Sequence, residues 1–475
     1  MIELRPDQRE IAKKLVEMLK TKPAPWVALQ APTGWGKTLT VLAAIRELGA
    51  YPALWLVPRL SIGVHVYRHA IDVGLRALLT AGKEKLCPFG FSLIDFTRGV
   101  CHRCSLNRPI SLGELGDFGN SMDFGEIKVL GESRQICPYK VQDFLEKQGH
   151  YNIVVAHYGR ARKLGAVKPR VVVVDEGHNV SLPTIHQIDV RALSLLLEKI
   201  GFSEPEASGL IKSPEVLKVV LSEMLDVLMM VEDEELRPLI ETIISVLILQ
   251  TGQSVWYFDP TENTINIIEL PDVTFPNVRA IIMSATLPPS LLNTNTNATI
   301  IVRRGWAVPV RIDGRYTLSY EGMMRRREEV GRYVAERYLK PSTVVFTTTA
   351  REDLLPIDRD GIVWEDEITD SPCRFRDKTI VLRVYGRFAE GVDLDCFENL
   401  VLLGLPVLPP AVMRRLEARG IGWRDLVVTK VVQIIGRVIR SPTPPDKMPN
   451  IYLVDKRFHQ FKDDLKNYEI EVIND

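Results

Sequence analysis

Several things are scarce in this chain of 475 residues. It has only six cysteines, and Cys373 and Cys396 lie far along the chain from the other four. That excludes a disulfide scaffold and points to an intracellular protein, with Cys373 and Cys396 expected as buried, unreactive thiols. Long apolar runs are missing as well. The densest patch, Thr242–Leu249, falls well short of the ~18–20 residues of a membrane span, so no membrane role is expected. The opening Met1-Ile-Glu-Leu-Arg-Pro-Asp-Gln8 has neither the basic start nor the apolar stretch of a signal peptide. The expected location is cytoplasmic, or nucleoid or nuclear, and not secreted. Charge of one sign is absent: 60 Lys plus Arg balance 60 Asp plus Glu. Coating of nucleic acid or membrane by bulk electrostatics is thereby excluded, although a local basic groove is not. No internal repeat or low-complexity tract occurs.

What is present is globular. An apolar share of 46% with 25% charged residues is ordinary for folded domains, and the length suits about three units at ~150 residues each. Apolar residues recur at helical spacing over Asp7–Leu19. The run Trp26–Leu29 then reads as a buried strand, Ala31–Lys37 as a turn, Thr38–Leu48 as a helix and Ala53–Val57 as a second strand. This alternation is the signature of a parallel α/β sheet. Val171–Val174 and Ala280–Met283 fit buried strands of the same sheet, and Thr343–Phe346, Thr379–Val384, Leu400–Leu403 and Ile451–Val454 those of a second one. Residues 82–138 hold four cysteines with little periodicity. Residues 190–250 read as long, acidic amphipathic helices, Trp256–Asp259 and Thr264–Leu270 as a hairpin, and Pro288–Asn297 as a linker.

The strongest chemical signal is Ala31-Pro-Thr-Gly-Trp-Gly-Lys-Thr38, a strand-to-helix turn of the kind that cradles phosphates with backbone N–H groups. Gly34 and Gly36 allow the tight turn, Lys37 would reach the β- and γ-phosphates of ATP, and Thr38 would ligate Mg²⁺. Val171-Val-Val-Val-Asp-Glu-Gly-His178 places Asp175 and Glu176 at a strand's carboxyl end, where ligands of such sheets bind. Asp175 would hold Mg²⁺ through water, Glu176 would orient or deprotonate the attacking water, and His178 would couple the site to its domain. Gln433, Arg437 and Arg440 fall on one face of a predicted helix and suit the charge of a γ-phosphate in transfer. Cys87, Cys101, Cys104 and Cys137 form one Cys-x-x-Cys with two distant partners. Their spacing alone leaves an iron–sulfur cluster, a zinc module and no metal all open.

Together these motifs resemble the XPD/DinG family of iron–sulfur superfamily 2 helicases. Arg5-Pro-Asp-Gln8 resembles the family's adenine-reading motif, with Gln8 as reader. Met283-Ser-Ala-Thr-Leu287 resembles the motif coupling hydrolysis to movement. Gly386-Arg-Phe-Ala-Glu-Gly-Val-Asp-Leu394, Gln433-Ile-Ile-Gly-Arg-Val-Ile-Arg440 and Asp455-Lys-Arg-Phe458 resemble later motifs. The resemblance implies an α/β fold of two RecA-like P-loop domains, with a cysteine-ligated [4Fe–4S] insert and a helical arch insert in the first. The implied boundaries are 1–80, 151–189 and 256–288 for the first motor domain, 81–150 for the cluster, 190–255 for the arch and 289–475 for the second motor domain. It further implies that Arg59, Thr347 and Thr348 contact DNA, while the carboxylates of Glu390 and Asp393 suit either the nucleotide or capping of their own loop. A basic path is expected over 301–340, where Arg303, Arg304, Arg315 and Arg325–Arg327 interleave with Trp306, Tyr316, Tyr320, Tyr333 and Tyr338, a solvated helix face being the other reading of Arg325–Arg327; Lys83, Lys85, Arg98, Arg103 and Arg108 around the cysteines form a second patch. Two departures stand out: Gly63 replaces an expected glutamine after Arg59, and the arch is short.

The implied activity is ATP-dependent, 5′-to-3′ DNA unwinding with the cluster domain as wedge, in DNA repair. Single-stranded and forked DNA would be partners, the motor would act as a monomer, and repair proteins would associate with it. A translocase that does not separate strands and a redox-responsive DNA-binding module are the alternatives.

Overall fold

A computed structural model describes residues 3–21, 26–111, 113–115, 120–148, 150–163, 167–180, 184–249, 254–260, 263–269, 278–288, 298–319, 322, 326–348, 354–355, 361–386, 388, 392–408, 410–418, 422–439 and 448–473. Glu390, Arg440, Tyr320, Arg325 and most of the expected linker (289–297) lie outside these. The chain forms two compact units. One comprises Met1–Leu29, Gly36–Met283 and Asn295–Thr299, the other Gln30–Trp35, Ser284–Thr294 and Ile300–Asp475.

In the first unit, β1 (Trp26–Gln30), β2 (Ala53–Val57), β3 (Ala77–Leu79), β4 (Ile153–His157) and β5 (Val171–Asp175) lie in one sheet. They are followed in the chain by β6 (Thr184–Asp189), β7 (Ser254–Asp259) and β8 (Thr264–Glu269), and then by β9 (Arg279–Ser284) and β10 (Ala298–Ile301). The large sheet has the order β10-β1-β9-β5-β2-β4-β3, and β5 pairs in parallel with both β2 and β9. Every residue of β2 and β5 is buried, as an unbroken apolar run requires when helices cover both faces.

β6, β8 and β7 form a separate antiparallel sheet. The hairpin expected inside the motor domain at 256–288 therefore belongs beside the helical insert, which reaches from 184 to 269. That insert holds five short helices rather than long ones: Val190–Lys199, Glu204–Ile211, Pro214–Glu223, Leu225–Met230 and Arg237–Leu249. Two of the breaks have local causes. Ser203 and Glu206 form a capping box that starts a new helix, and Pro214 takes a first-turn position that Ser213 precedes. Leu193, Leu196, Leu217, Leu221, Ile240 and Ile267 build the insert's own core, which Ile94 of the cysteine segment also enters.

The second unit is built on β11 (Val308–Asp313), β12 (Thr343–Thr347), β13 (Ile362–Trp364), β14 (Thr379–Arg383), β15 (Asn399–Leu403), β16 (Asn450–Val454) and β17 (Ile470–Ile473). Their order is β13-β14-β12-β15-β16-β11-β17, and every neighbouring pair is parallel. Alternation along the strands divides the core between two faces. Val344, Phe346, Leu400 and Leu402 enter one cluster, whereas Val345, Val381, Val401 and Leu403 enter the other.

Candidate nucleotide site

β1 runs into the phosphate-type loop, and the helix Lys37–Leu48 leaves it. Gly34 and Gly36 take φ values of +81° and +98°, in the left-handed region where a side chain is strained. A Cβ at Gly36 would also displace the Gln8 side chain, lying 2.3 Å from its Nε2. Gln8 is buried, and its Oε1 accepts a hydrogen bond from the Arg5 amide at 2.9 Å. The Gln8 side chain is thus fixed directly on the loop. Thr40 Oγ1 closes the first helical turn by donating to the Gly36 carbonyl at 3.0 Å.

Asp175 ends β5. It is buried, and its carboxylate accepts hydrogen bonds from Trp55 Nε1 at 3.2 Å and from the Glu176 amide at 2.9 Å. Burial and then the neighbouring Glu176 charge push its pKa up, against the Trp55 hydrogen bond, the Lys37 charge and the Glu176 amide, which pull it down. Glu176 has φ +49°, uncommon for a residue with a side chain and a mark of local strain. The Tyr158 hydroxyl braces this turn by donating to the carbonyls of Asp175 and Glu176. Buried His178 places Nδ1 3.4 Å from Glu176 Oε2. With two hydrogen bonds among the described residues, the buried Asp175 carboxylate has lone pairs to spare. Beside Lys37, it suits a hard cation that prefers oxygen ligands.

In the second unit, Gln433 lies on the helix Trp423–Val438 at 7% exposure. Its Oε1 and Nε2 are both buried without a hydrogen bond among the described residues. An amide left this way is costly unless something else completes it. One turn on, the Arg437 carbonyl accepts from the Leu394 amide at 2.9 Å, tying the stretch ending at Leu394 to this helix. Asp393, before Leu394, is exposed.

Comparisons with known proteins bear on the fold. Residues 1–77 match the family model described as "Type III restriction enzyme, res subunit". Among solved structures, apo XPD aligns with 98% of this chain and 100% of its own at 17% identity, with a TM-score of 0.63. S. tokodaii Xpd4 aligns with 99% and 100% at 16% identity, with a TM-score of 0.55.

The fold is that of XPD.

No curated protein matches the sequence significantly. Within the XPD-like fold, the four cysteines lie on one small module. Cys87 ends the helix Lys83–Leu86, Cys101 lies within the 3₁₀ turn Val100–Arg103 that Cys104 ends, and Cys137 precedes the helix Pro138–Gln148. All four are free, half-buried thiols. Backbone hydrogen bonds draw the segments together: the Cys137 amide donates to the Leu106 carbonyl at 2.8 Å and the Asn107 amide to Cys104 at 3.0 Å. The Asn107 side chain also donates to the Cys101 carbonyl at 2.6 Å. The donor chemistry suits iron or zinc. Among the described residues, however, no three Cys, His, Asp or Glu side chains converge closely enough to hold a metal ion.

The stretch between Cys104 and Cys137, expected to be irregular, contains the helix Phe124–Ser133. Its capping box, Asp123 with Glu126, was a readable signal in the sequence. The module is anchored on the sheet edge, where Met122 bonds to Ala77 and Leu79 and the Gln142 side chain bonds to Ala81 in both directions.

Three expectations change. Cys373 and Cys396 are not free thiols but a disulfide, with Cα atoms 5.9 Å apart; folding brings together residues whose spacing carries no pairing signal. Thr347 is fully buried, with its hydroxyl donating to the Thr348 carbonyl, so of the two threonines only half-buried Thr348 reaches the surface. Of the described aromatics over 301–340, Tyr316 and Tyr338 are buried and Trp306 and Tyr333 half-buried. Asp313 accepts from the Tyr333 and Tyr338 hydroxyls at 2.6 and 2.5 Å, Tyr316 donates to Glu329, and Arg315 lies over the Tyr333 ring. Trp306 packs on the sheet core beneath Arg304.

Arg59 precedes the helix Leu60–Asp72. The absent glutamine has a packing reason, since a Cβ at Gly63 would come within 3.1 Å of Leu79 and 3.4 Å of Val155. On the cysteine module, Lys83 sits over Phe96 and Arg108 pairs with Glu114, while Lys85, Arg98 and Arg103 are exposed. Among the described residues no helix is long and apolar enough to cross a membrane.

Proposed function

We propose that this chain is an ATP-hydrolysing helicase that moves along single-stranded DNA, 5′ to 3′, and separates duplex. The observation that carries the reading is the first unit's constellation. Gln8 packs directly against Gly36 of the glycine loop, and the loop delivers Lys37 to the field of a buried Asp175. Backbone N–H groups of the loop would cradle the phosphates, Lys37 would hold the β- and γ-phosphates, and Gln8 would meet the adenine. Thr38 and Asp175 would hold Mg²⁺, which neutralises charge developing on the transferred phosphoryl group. Glu176, steadied by His178, would orient the attacking water. Gln433, Arg437 and Arg440 would serve the γ-phosphate, and Asp393 with Glu390 the nucleotide. Arg59 and Thr348 would touch the DNA backbone.

Lys37→Ala is expected to abolish ATP turnover stimulated by single-stranded DNA, and intact stimulated turnover in that variant would overturn the reading. On forked duplexes with 5′ or 3′ tails, ATP-driven separation from the 5′ tail is expected. Separation only from the 3′ tail would reverse the polarity, and turnover with no separation would make the protein a translocase.

The same reading assigns Cys87, Cys101, Cys104 and Cys137 to a [4Fe–4S] cluster that stiffens the module as a wedge, in a protein serving DNA repair. What supports it is four free thiols on one hydrogen-bonded module. Iron and acid-labile sulfide measured in anaerobically purified protein decide the matter, and absence of iron removes the cluster.

A further inference from the structure

We infer that Trp55 is a positioning residue for the metal-binding carboxylate, holding Asp175 through its indole N–H. The inference rests on the nucleotide-site reading above and deepens it. The register of the sheet explains the contact. Trp55 pairs with Val173 across the parallel β2–β5 ladder, so Trp55, Val173 and Asp175 share one face of the sheet. Two residues beyond Val173, Asp175 stands at the carboxyl edge. A tryptophan at this position is long enough to span that offset, and its Nε1 donates to Asp175 Oδ2 at 3.2 Å. A Val or Leu there would fill the same layer without reaching the acid.

Two features separate this bond from incidental packing. Trp55 is fully buried at 0% exposure, so its N–H has no water to bond and takes the carboxylate as acceptor. And the carboxylate is held at both ends: the Glu176 amide takes Oδ1 while Trp55 takes Oδ2. The first holder depends on the strained turn at Glu176, whereas the second comes from the rigid interior of the sheet. Removing the indole N–H would leave Asp175 held at one oxygen only, by the Glu176 amide, and the cost would fall on the cation it would hold. Outer partners of metal ligands typically contribute about 10- to 100-fold in metal affinity.

The test compares three proteins with the wild type: Trp55→Phe, Trp55→3-benzothienylalanine introduced by site-specific incorporation, and Trp256→Phe. The second keeps the bicyclic shape and replaces the N–H by sulfur. The third removes another buried indole, one that donates to Ser254 within the insert. The readout is equilibrium binding of a fluorescent ATP analogue across a Mg²⁺ titration and in EDTA, with thermal unfolding of each protein. Both Trp55 variants are expected to need about 10-fold more Mg²⁺ for half-maximal binding, with unchanged affinity in EDTA, and Trp256→Phe is expected to match the wild type. A benzothienylalanine variant with wild-type Mg²⁺ dependence would overturn the inference, even if Trp55→Phe is impaired or fails to fold, because the effect would then be one of packing. Wild-type protein that binds no nucleotide with Mg²⁺ would instead overturn the function on which the inference rests.

Discussion

Both units bury carboxylates at or near the carboxyl edge of a parallel sheet, and they treat them in opposite ways. In the second unit Asp455, fully buried, accepts from the Leu318 amide, the Arg457 amide and two nitrogens of the Arg457 guanidinium. Asp313 at the end of β11 accepts from two tyrosine hydroxyls and the Arg315 amide. In the first unit Asp175 receives two hydrogen bonds and has Glu176 beside it. A saturated acid is spent on holding the fold together. An acid kept short of donors, next to a lysine and a like charge, raises the energy of the empty site and is relieved by a cation.

Five experiments can break this contrast or sharpen it. The largest effect is expected from Asp175→Asn, which should lower ATP turnover by about 100-fold or more while leaving the thermal midpoint equal or higher, because a buried charge has been removed. Asp455→Asn should do the reverse. It strands the donors gathered on that acid and should cost about 3 kcal/mol in urea unfolding. A turnover defect in Asp455→Asn without loss of stability would erase the distinction.

Replacing Cys373 and Cys396 together by serine opens a cross-link between residues 23 apart in sequence. By loop entropy this should cost about 3 kcal/mol under non-reducing conditions. Reductant should erase the difference from wild type, whereas an equal difference in reductant would contradict it.

For Asp313, burial pushes the pKa up, but hydrogen bonds from Tyr333, Tyr338 and the Arg315 amide, with the Arg337 charge, outweigh it and hold the acid below its ordinary 3.8. A carboxylate lowered in the folded state adds stability above the unfolded value. That contribution fades as pH falls through the folded one. Tyr338→Phe should therefore cost about 1 kcal/mol at neutral pH and move acid unfolding to higher pH. An unchanged acid midpoint would count against the network. The smallest effect is expected at Arg237, whose exposed ion pair with Asp95 joins the insert to the cysteine segment. Arg237→Ala should change global stability by less than about 1 kcal/mol, yet speed amide exchange over Leu93–Thr97.

The sequence was most readable where a local pattern sufficed. Val171–Val174 and Leu400–Leu403 are strands where their apolar runs ended, because a strand buried on both faces needs no other signal. Short strands such as Ala77–Leu79 and Ile362–Trp364 are not legible in the sequence, since three residues carry no period. The phosphate loop was legible because glycine, lysine and threonine act there through backbone and charge close in sequence. Arginines interleaved with tyrosines looked like a nucleic-acid path, but composition could not tell outward rings from rings turned onto Asp313.

By itself, then, the sequence determined the loop, the strand ends that carry Asp175 and Asp455, and the identity of the six thiols. Tertiary structure alone decided what those groups became. Trp55 and Asp175 are 120 residues apart, and Leu318 and Asp455 are 137 apart. Two cysteines met while four stayed free. A hydrogen bond or a disulfide acts over a few ångströms, so which acid is saturated and which is left open is settled only when distant strands lie side by side.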